Sequence, residues 1–188
     1  NNMINRILVA VDRSERNKSV FNSAISLAKT TGSTLMLLHV LSEEEAGYPM
    51  LPTYAYYPIV DDHNYELYNE KLEEYKQWGI DFLQRLTQLA TEDGVATEYT
   101  QLTGNPGRVI CELADTWEAD LILIGSRGLK GLKEMFLGSV SNYVTHHAPC
   151  SVLIVRLAIA SDGGQSPIAG ESDSNNTLSE EKIVSSNN

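Results

Sequence analysis

The chain contains little of what secreted, membrane and nucleic-acid-binding proteins require. Its 188 residues include two cysteines, Cys111 and Cys150, too few for a disulfide framework. No apolar run approaches the roughly 18 residues of a membrane helix, and no signal-type leader opens the chain. Lysine and arginine number 14 against 25 aspartate and glutamate, a net charge of −11, so no phosphate-backbone partner is expected. These absences predict a cytoplasmic protein that binds neither membrane nor nucleic acid.

Two common nucleotide-binding signatures are also missing. The sequence has no G-x4-G-K-[S/T] motif, so it has no P-loop lysine to bind the β and γ phosphates. It also has no G-x-G-x-x-G motif followed by an acidic residue in a βαβ unit, which disfavours binding of a dinucleotide cofactor. No residue stands out as a general base that would activate water against a γ-phosphate. If the ligand carries phosphates, the sequence predicts binding without efficient turnover.

The most informative motif that is present joins two glycine clusters to one helix start. Gly125 and Gly128 follow the apolar run 121–124, and nine residues later Gly138 and Ser139 open a helical stretch that reaches residue 147. Glycine allows backbone to approach a ligand closely, and free N–H groups at a helix start attract anions. A strand end, a glycine loop and a helix start together predict a phosphate cradle. The alternative is a set of tight turns without a ligand.

Several side chains around this motif would assist the backbone. Ser139 and Ser141 offer hydroxyl donors, and Val140 adds an N–H at the helix start. Ser139 is equally suited to simple helix capping. Arg127 would form charge-assisted bonds to phosphate if it points inward, and would otherwise be an exposed loop residue.

Apolar runs and helical patterns alternate along the chain. Strands are predicted at 4–11, 34–41, 95–102, 121–124 and 151–155, and helices from Ser14 to about residue 31, at 66–91, from 104 to 117 and at 139–147. This alternation predicts an α/β fold with a doubly wound parallel sheet and helices on both faces. Residues 42–65, rich in tyrosine and proline, are expected to form an insert or flap. Residues 157–188 are expected to form a disordered acidic tail.

Three pieces of the sequence carry a family resemblance. They are the glycine spacing G-x2-G-x9-G-S, the opening strand that ends in Asp12-Arg13-Ser14, and the closing stretch Ala148-Pro149-Cys150-Ser151 with the strand that follows. Together they resemble the ATP-binding branch of the universal stress protein family. The resemblance covers residues 3–156 and departs from the family pattern in the insert and the tail.

The resemblance implies a Rossmann-like fold, similar to adenine nucleotide alpha hydrolases, with strand order 3-2-1-4-5. Ligands of such sheets bind beyond the carboxyl ends of the strands where the order reverses. It implies a nucleotide, ATP or AMP, in contact with Asp12, with the backbone of Val40 at the adenine and Ala10 and Val11 near ribose and base; Ser14 belongs to the same turn. Asp12 would then act through Mg²⁺, or would merely favour the helix dipole.

The expected function is therefore a nucleotide-binding regulatory protein of the stress response. One alternative is a slow Mg²⁺-dependent ATPase that uses Asp12, and another is a module that binds a cyclic nucleotide. The family's last strand pairs with a second copy, so a homodimer through residues 151–155 is expected, since an apolar edge needs covering. The alternative is an edge covered by the chain's own tail. The flap or the tail is expected to contact a regulatory protein.

Overall fold

Strands and helices alternate throughout the part of the chain that the structure describes. The computed structural model describes residues 4–14, 16–50, 62–126 and 137–156. The elements are β1 Arg6–Val11, α1 Asn17–Thr31, β2 Thr34–Leu41, α2 Asp62–Glu92, β3 Thr97–Thr103, α3 Pro106–Thr116, β4 Leu121–Gly125, α4 Ser139–His147 and β5 Ser151–Val155. Within these ranges no helix is both long and apolar enough to cross a bilayer.

The five strands form one parallel sheet in the order β3-β2-β1-β4-β5. β1 lies between β2 and β4, and Ile7 is in register with both Leu35 and Leu121. The order reverses at β1, so the carboxyl ends of β1 and β4 meet at one edge of the sheet. The predicted fold class and strand order are confirmed.

Each face of the sheet is covered by its own pair of helices. Ile7 and Val9 pack with α1 and α2, whereas Leu8 packs with α3 and α4. All three side chains are fully buried, and each such burial contributes about 1.5–3 kcal/mol. A strand buried on both faces is thereby fixed in position, and it carries the loop after Val11 to a defined place.

The boundaries of helices and strands match the sequence prediction where strongly turn-forming residues flank the element. The bounds of β2, α4 and β5 are as predicted, and Asn105 caps α3 ahead of Pro106, its side chain accepting from the Arg108 N–H. The long helix begins at Asp62 rather than residue 66, so the end of the predicted insert is helical. No proline or glycine follows Pro58 before Gly79, and nothing stops the helix from starting earlier. Residues 51–61 and the predicted tail from residue 157 lie outside the described residues.

Candidate functional site

A cavity of about 820 Å³ opens at the carboxyl ends of the central strands. Its floor consists of strand ends, and its walls come from the loops after β1 and β2 and from the first turns of α1, α3 and α4. The lining residues are Ala10, Val11, Asp12, Arg13, Ser14, Arg16, Asn17, Val20, Leu38, Val40, Ser42, Glu44, Glu45, Ala46, Gly47, Pro106, Ile110, Ile124, Gly125, Gly138, Val140 and Ser141. The structure thus brings together most of the site residues predicted from the sequence.

The loop after β1 is held by Asp12. Its Oδ1 accepts hydrogen bonds from the Ser14 backbone N–H at 2.9 Å and from the Ser14 hydroxyl at 2.5 Å, the arrangement of an Asx turn. Among the described residues no other group donates to this carboxylate. α1 begins at Asn17 and not at Ser14 as predicted: its N-cap is Arg16, without a side-chain cap bond, and the Ser14 hydroxyl is bound to Asp12.

The glycine motif forms the opposite wall of the cavity. Gly125 ends β4, and Gly138 is the N-cap of α4 in an extended conformation. The Ser141 hydroxyl donates to the Gly125 carbonyl at 3.0 Å, which ties the helix start to the strand end. The first N–H groups of any helix lack an intrahelical acceptor, and no described side chain caps those of α4.

The remaining predicted residues of the motif have different positions. Ser139 is exposed and is not among the lining residues, and it does not cap the helix, since Gly138 is the N-cap. Gly138 itself lines the cavity. Arg127 and Gly128 lie outside the described residues.

An apolar slot occupies the β2 side of the cavity. Val40 and Leu38 at the end of β2 are buried, and Ala10 and Ile110 approach from β1 and α3. Pro106 at the start of α3 completes this surface. The slot has the apolar lining that a heteroaromatic group requires.

A buried polar network supports the wall that follows β2. The fully buried ring of His39 contacts the Glu45 carboxylate through Nε2 at 3.0 Å and Gln101 Oε1 through Nδ1 at 2.9 Å. Glu45 also accepts from the Arg13 backbone N–H at 2.9 Å and from the Tyr75 hydroxyl. The Glu45 carboxylate joins β2, α2 and both cavity loops, and His39 links β3 to them through Gln101.

The protonation states in this network follow from its hydrogen bonds. Burial alone lowers the pKa of His39, but hydrogen bonds to Glu45 and Gln101 and the Glu45 charge outweigh burial, so this pKa lies above 6.5. Burial raises the pKa of Glu45, but its bonds with His39 and Tyr75 outweigh that effect and the pKa lies below 4.5. Both directions favour an imidazolium–carboxylate pair.

Residues 3–156 match the sequence profile of the universal stress protein family. The chain belongs to the universal stress protein family. The universal stress protein Sll1388 of Synechocystis sp. is 43% identical over 151 residues, which are 80% of this chain and 97% of the relative.

Solved universal stress proteins and related structures have the same fold. The hypothetical protein MJ0577 superposes with a TM-score of 0.64 at 23% identity, over 83% of this chain and 98% of that one. A universal stress protein family member from Arabidopsis thaliana, solved with AMP bound, gives a TM-score of 0.56 at 23% identity, over 82% of this chain and 93% of that one. At these identities the likeness establishes the fold of the family in this chain.

Several lining residues escaped the sequence analysis. Asn17 and Arg16 lie in and before the first turn of α1, and Glu44 and Glu45 lie in the stretch assigned to the insert. The cluster of three glutamates after β2 was visible in the sequence, but nothing there indicated that the third binds His39. On the α1 side, the available indication of a cavity residue was Asn17, whose short amide side chain follows the turn at the end of a strand.

Proposed function

We propose that this universal stress protein binds an adenine nucleotide, ATP or AMP, in the cavity at the carboxyl ends of β1, β2 and β4. One observation carries the proposal: a single cavity combines an apolar slot at Val40 and Ile110 with N–H donors at the start of α4 that no described side chain caps. A base needs the first and a phosphate needs the second. A plant member of the family was solved with AMP bound, which supports an adenine nucleotide as the ligand class.

The proposed ligand lies with adenine in the slot and its phosphates near Gly125, Gly138 and Val140. Arg127, Gly128 and the Ser139 backbone would extend the phosphate contacts. Asp12, at the end of β1 between the two regions, is suited to the ribose or to a phosphate-bound Mg²⁺. Among the described residues no three histidine, cysteine, aspartate or glutamate side chains gather to hold a metal. A magnesium ion would therefore bind together with the phosphates.

Binding without efficient turnover is the second part of the proposal. The acidic residues in the cavity wall are Asp12, Glu44 and Glu45. Glu45 is engaged by His39, Tyr75 and the Arg13 backbone, Asp12 Oδ1 holds its own turn, and Glu44 is exposed to solvent. None of the three has the buried, unengaged carboxylate that a general base for water would need. The protein would act as a stress-response regulator that reports nucleotide state through the loop after β2 and through a homodimer formed at β5.

The β5 edge supports the homodimer. β5 is the last strand of the sheet, and Leu153 on it is 42% exposed. An unpaired strand edge with an exposed apolar side chain gains stability by pairing with a second copy.

Calorimetric titration with ATP, AMP and cAMP tests the ligand. We expect ATP or AMP to bind, and Gly138→Val to abolish binding because valine fills the cradle at a backbone conformation that any residue adopts. Asn142→Val, on the exposed face of the same helix, is the matched control and keeps affinity. Unchanged binding by Gly138→Val would contradict the proposed cradle.

The same preparations separate the other candidate functions. Another universal stress protein has been solved with cAMP. If cAMP displaces ATP at a far lower concentration than ATP itself, the protein is better described as a module that binds a cyclic nucleotide. Single-turnover and multiple-turnover assays with labelled ATP test catalysis, and we expect no sustained hydrolysis. Sustained turnover that Asp12→Asn abolishes would favour the slow ATPase.

A further inference from the structure

Both ring nitrogens of His39 face oxygen atoms that accept hydrogen bonds. Nε2 lies 3.0 Å from Glu45 Oε2, and Nδ1 lies 2.9 Å from Gln101 Oε1. The Gln101 amide is held in this orientation because its own nitrogen donates to the Lys76 carbonyl at 3.0 Å. A neutral imidazole has one N–H and satisfies one of the two oxygens, whereas an imidazolium has two and satisfies both. The contacts therefore assign a protonated ring to His39.

The surroundings of the ring also favour the charged form. His39 is fully buried, so a hydrogen bond lost on deprotonation is not replaced by water. The titratable and charged groups around it are Glu45 after β2, Asp12 and Arg13 after β1, and Tyr75 of α2, while β3 contributes the neutral Gln101. Although burial alone lowers it, the pKa of His39 is raised above 6.5 by its bonds with Glu45 and Gln101 and by the charges of Glu45 and Asp12.

Glu45 transmits the charge state of His39 to the cavity. It lines the cavity, and its carboxylate accepts from the Arg13 backbone N–H at 2.9 Å, which fastens the loop after β2 to the loop after β1. Gly47 packs at the same place, since a Cβ on it would lie 3.1 Å from Arg13 Nη1. Loss of the proton from Nε2 removes the donor to Glu45, and loss from Nδ1 removes the positive charge that attracts it. Either loss loosens the contact between the two loops.

We propose that His39 and Glu45 are positioning residues of the ligand cavity and that nucleotide binding is coupled to the proton on His39. The proposal rests on the proposed function and adds a proton to its ligands. Glu45 acts by holding the two loops together, and His39, which is not among the lining residues, acts through Glu45. The affinity for nucleotide is therefore highest while the ring is charged and falls as rising pH removes the proton. By linkage, binding takes up a proton in the same pH range.

Calorimetric titration of the full chain with ATP tests this coupling. The titrations run from about pH 6 to about pH 9, in two buffers that differ in ionisation enthalpy. We expect the wild type to lose roughly tenfold in affinity over this range and to take up as much as one proton on binding. His39→Gln lacks both effects, and the titration of the ATP phosphates is common to the two proteins and cancels. His146→Gln, at an exposed histidine near the end of α4, is the matched control and behaves as the wild type.

Two further measurements separate positioning from a purely structural role, and they decide the question if His39→Gln does not fold. Glu45→Gln removes the charge that favours the imidazolium, so the fall in affinity moves to lower pH, whereas a variant that is only less stable keeps the wild-type midpoint. The imidazole signals of His39 in nuclear magnetic resonance give its pKa directly, and we expect a higher value with ATP bound than without. Circular dichroism checks that each variant is folded at each pH.

The outcomes distinguish this inference from the proposed function. A wild type that binds no nucleotide at any pH overturns the proposed function and this inference with it. A wild type that binds ATP with the pH profile and proton uptake of His39→Gln overturns the inference alone. An affinity that rises with pH relative to His39→Gln, or a pKa of His39 that ATP leaves unchanged, also overturns it.

Discussion

His39, fully buried in β2, and Glu45, six residues later in the wall of the cavity, form an ion pair with Nε2 and Oε2 3.0 Å apart. Glu45 is 11% exposed in its side chain, so solvent screens the pair weakly. The same carboxylate holds the Arg13 backbone and Tyr75. The conformation of two cavity loops therefore depends on the protonation states of this pair.

This pair predicts a pH dependence of stability. The folded-state pKa of His39 is raised above 6.5, so its contribution is complete below pH 6.5 and is lost as pH rises through the folded value. The pKa of Glu45 is lowered below 4.5, so its contribution is complete above pH 4.5 and is lost as pH falls through the folded value. The pair is therefore most stabilising between pH 4.5 and 6.5.

Urea unfolding of the wild type and Glu45→Gln across pH measures this dependence. We expect the substitution to destabilise the protein by about 3 kcal/mol near pH 5.5, because it leaves the buried imidazolium unpaired. The difference should shrink in alkaline solution. Glu43→Gln, at an exposed residue of the same loop, is the control. A difference that grows with rising pH would contradict the assigned pair.

Gly79 in α2 is predicted to be intolerant of even a methyl group. A Cβ there would lie 1.9 Å from Gln101 Oε1 and 2.6 Å from His39 Nδ1. Alanine in a helix interior normally gains about 1 kcal/mol over glycine, but overpacking costs about 1–3 kcal/mol and the displaced Gln101 loses its bonds to His39 and the Lys76 carbonyl. We expect Gly79→Ala to destabilise the protein in thermal unfolding.

A double-mutant cycle with Gln101→Ala checks the cause. If the clash with Gln101 carries part of the cost, the two substitutions together destabilise by less than the sum of their separate effects. Strict additivity would show that the close approach of Gln101 does not matter.

Trp78 is predicted to report ligand binding. The Arg13 guanidinium lies 4.5 Å from the centre of the Trp78 ring, and Arg13 lines the cavity. A bound polyphosphate attracts the guanidinium and so changes the surroundings of the indole. We expect ATP to change the tryptophan emission of the wild type and of Trp117→Phe, and to leave that of Trp78→Phe unchanged. A signal that survives in Trp78→Phe would refute this coupling.

The proposed dimer predicts different effects at the two edges of the sheet. Leu153 is exposed on β5, and Leu102 is exposed on β3 at the opposite edge. Light scattering after size exclusion should give a dimer for the wild type and for Leu102→Glu, and a monomer for Leu153→Glu, which places a charge in the interface. A monomer for Leu102→Glu together with a dimer for Leu153→Glu would place the interface at β3 instead.

The sequence predicted the fold well because its signals are local or periodic. Apolar runs bounded by turn residues marked the strands, and the Asn105-Pro106 pair marked the start of α3. The start of α1 was wrong because Ser14 suits two local roles, a helix cap and a turn with Asp12, and the sequence does not choose between them.

The polar network could not be predicted from the sequence. Its members come from five separate segments, and His39 lies in an apolar strand where a histidine has no visible partner. Only the folded sheet brings Glu45 and Gln101 to the two ring nitrogens.

The central position of β1 has a consequence for synthesis on the ribosome. Asp12 emerges early, yet the facing wall at Gly125 and Gly138 is made only after β2 and β3 have been translated. A nascent polypeptide that ends before α4 has half a cleft, and so would gain none of the stabilisation that the proposed nucleotide gives to the finished domain. Cellular nucleotide would then act on the completed chain and leave its shorter precursors to fold unaided.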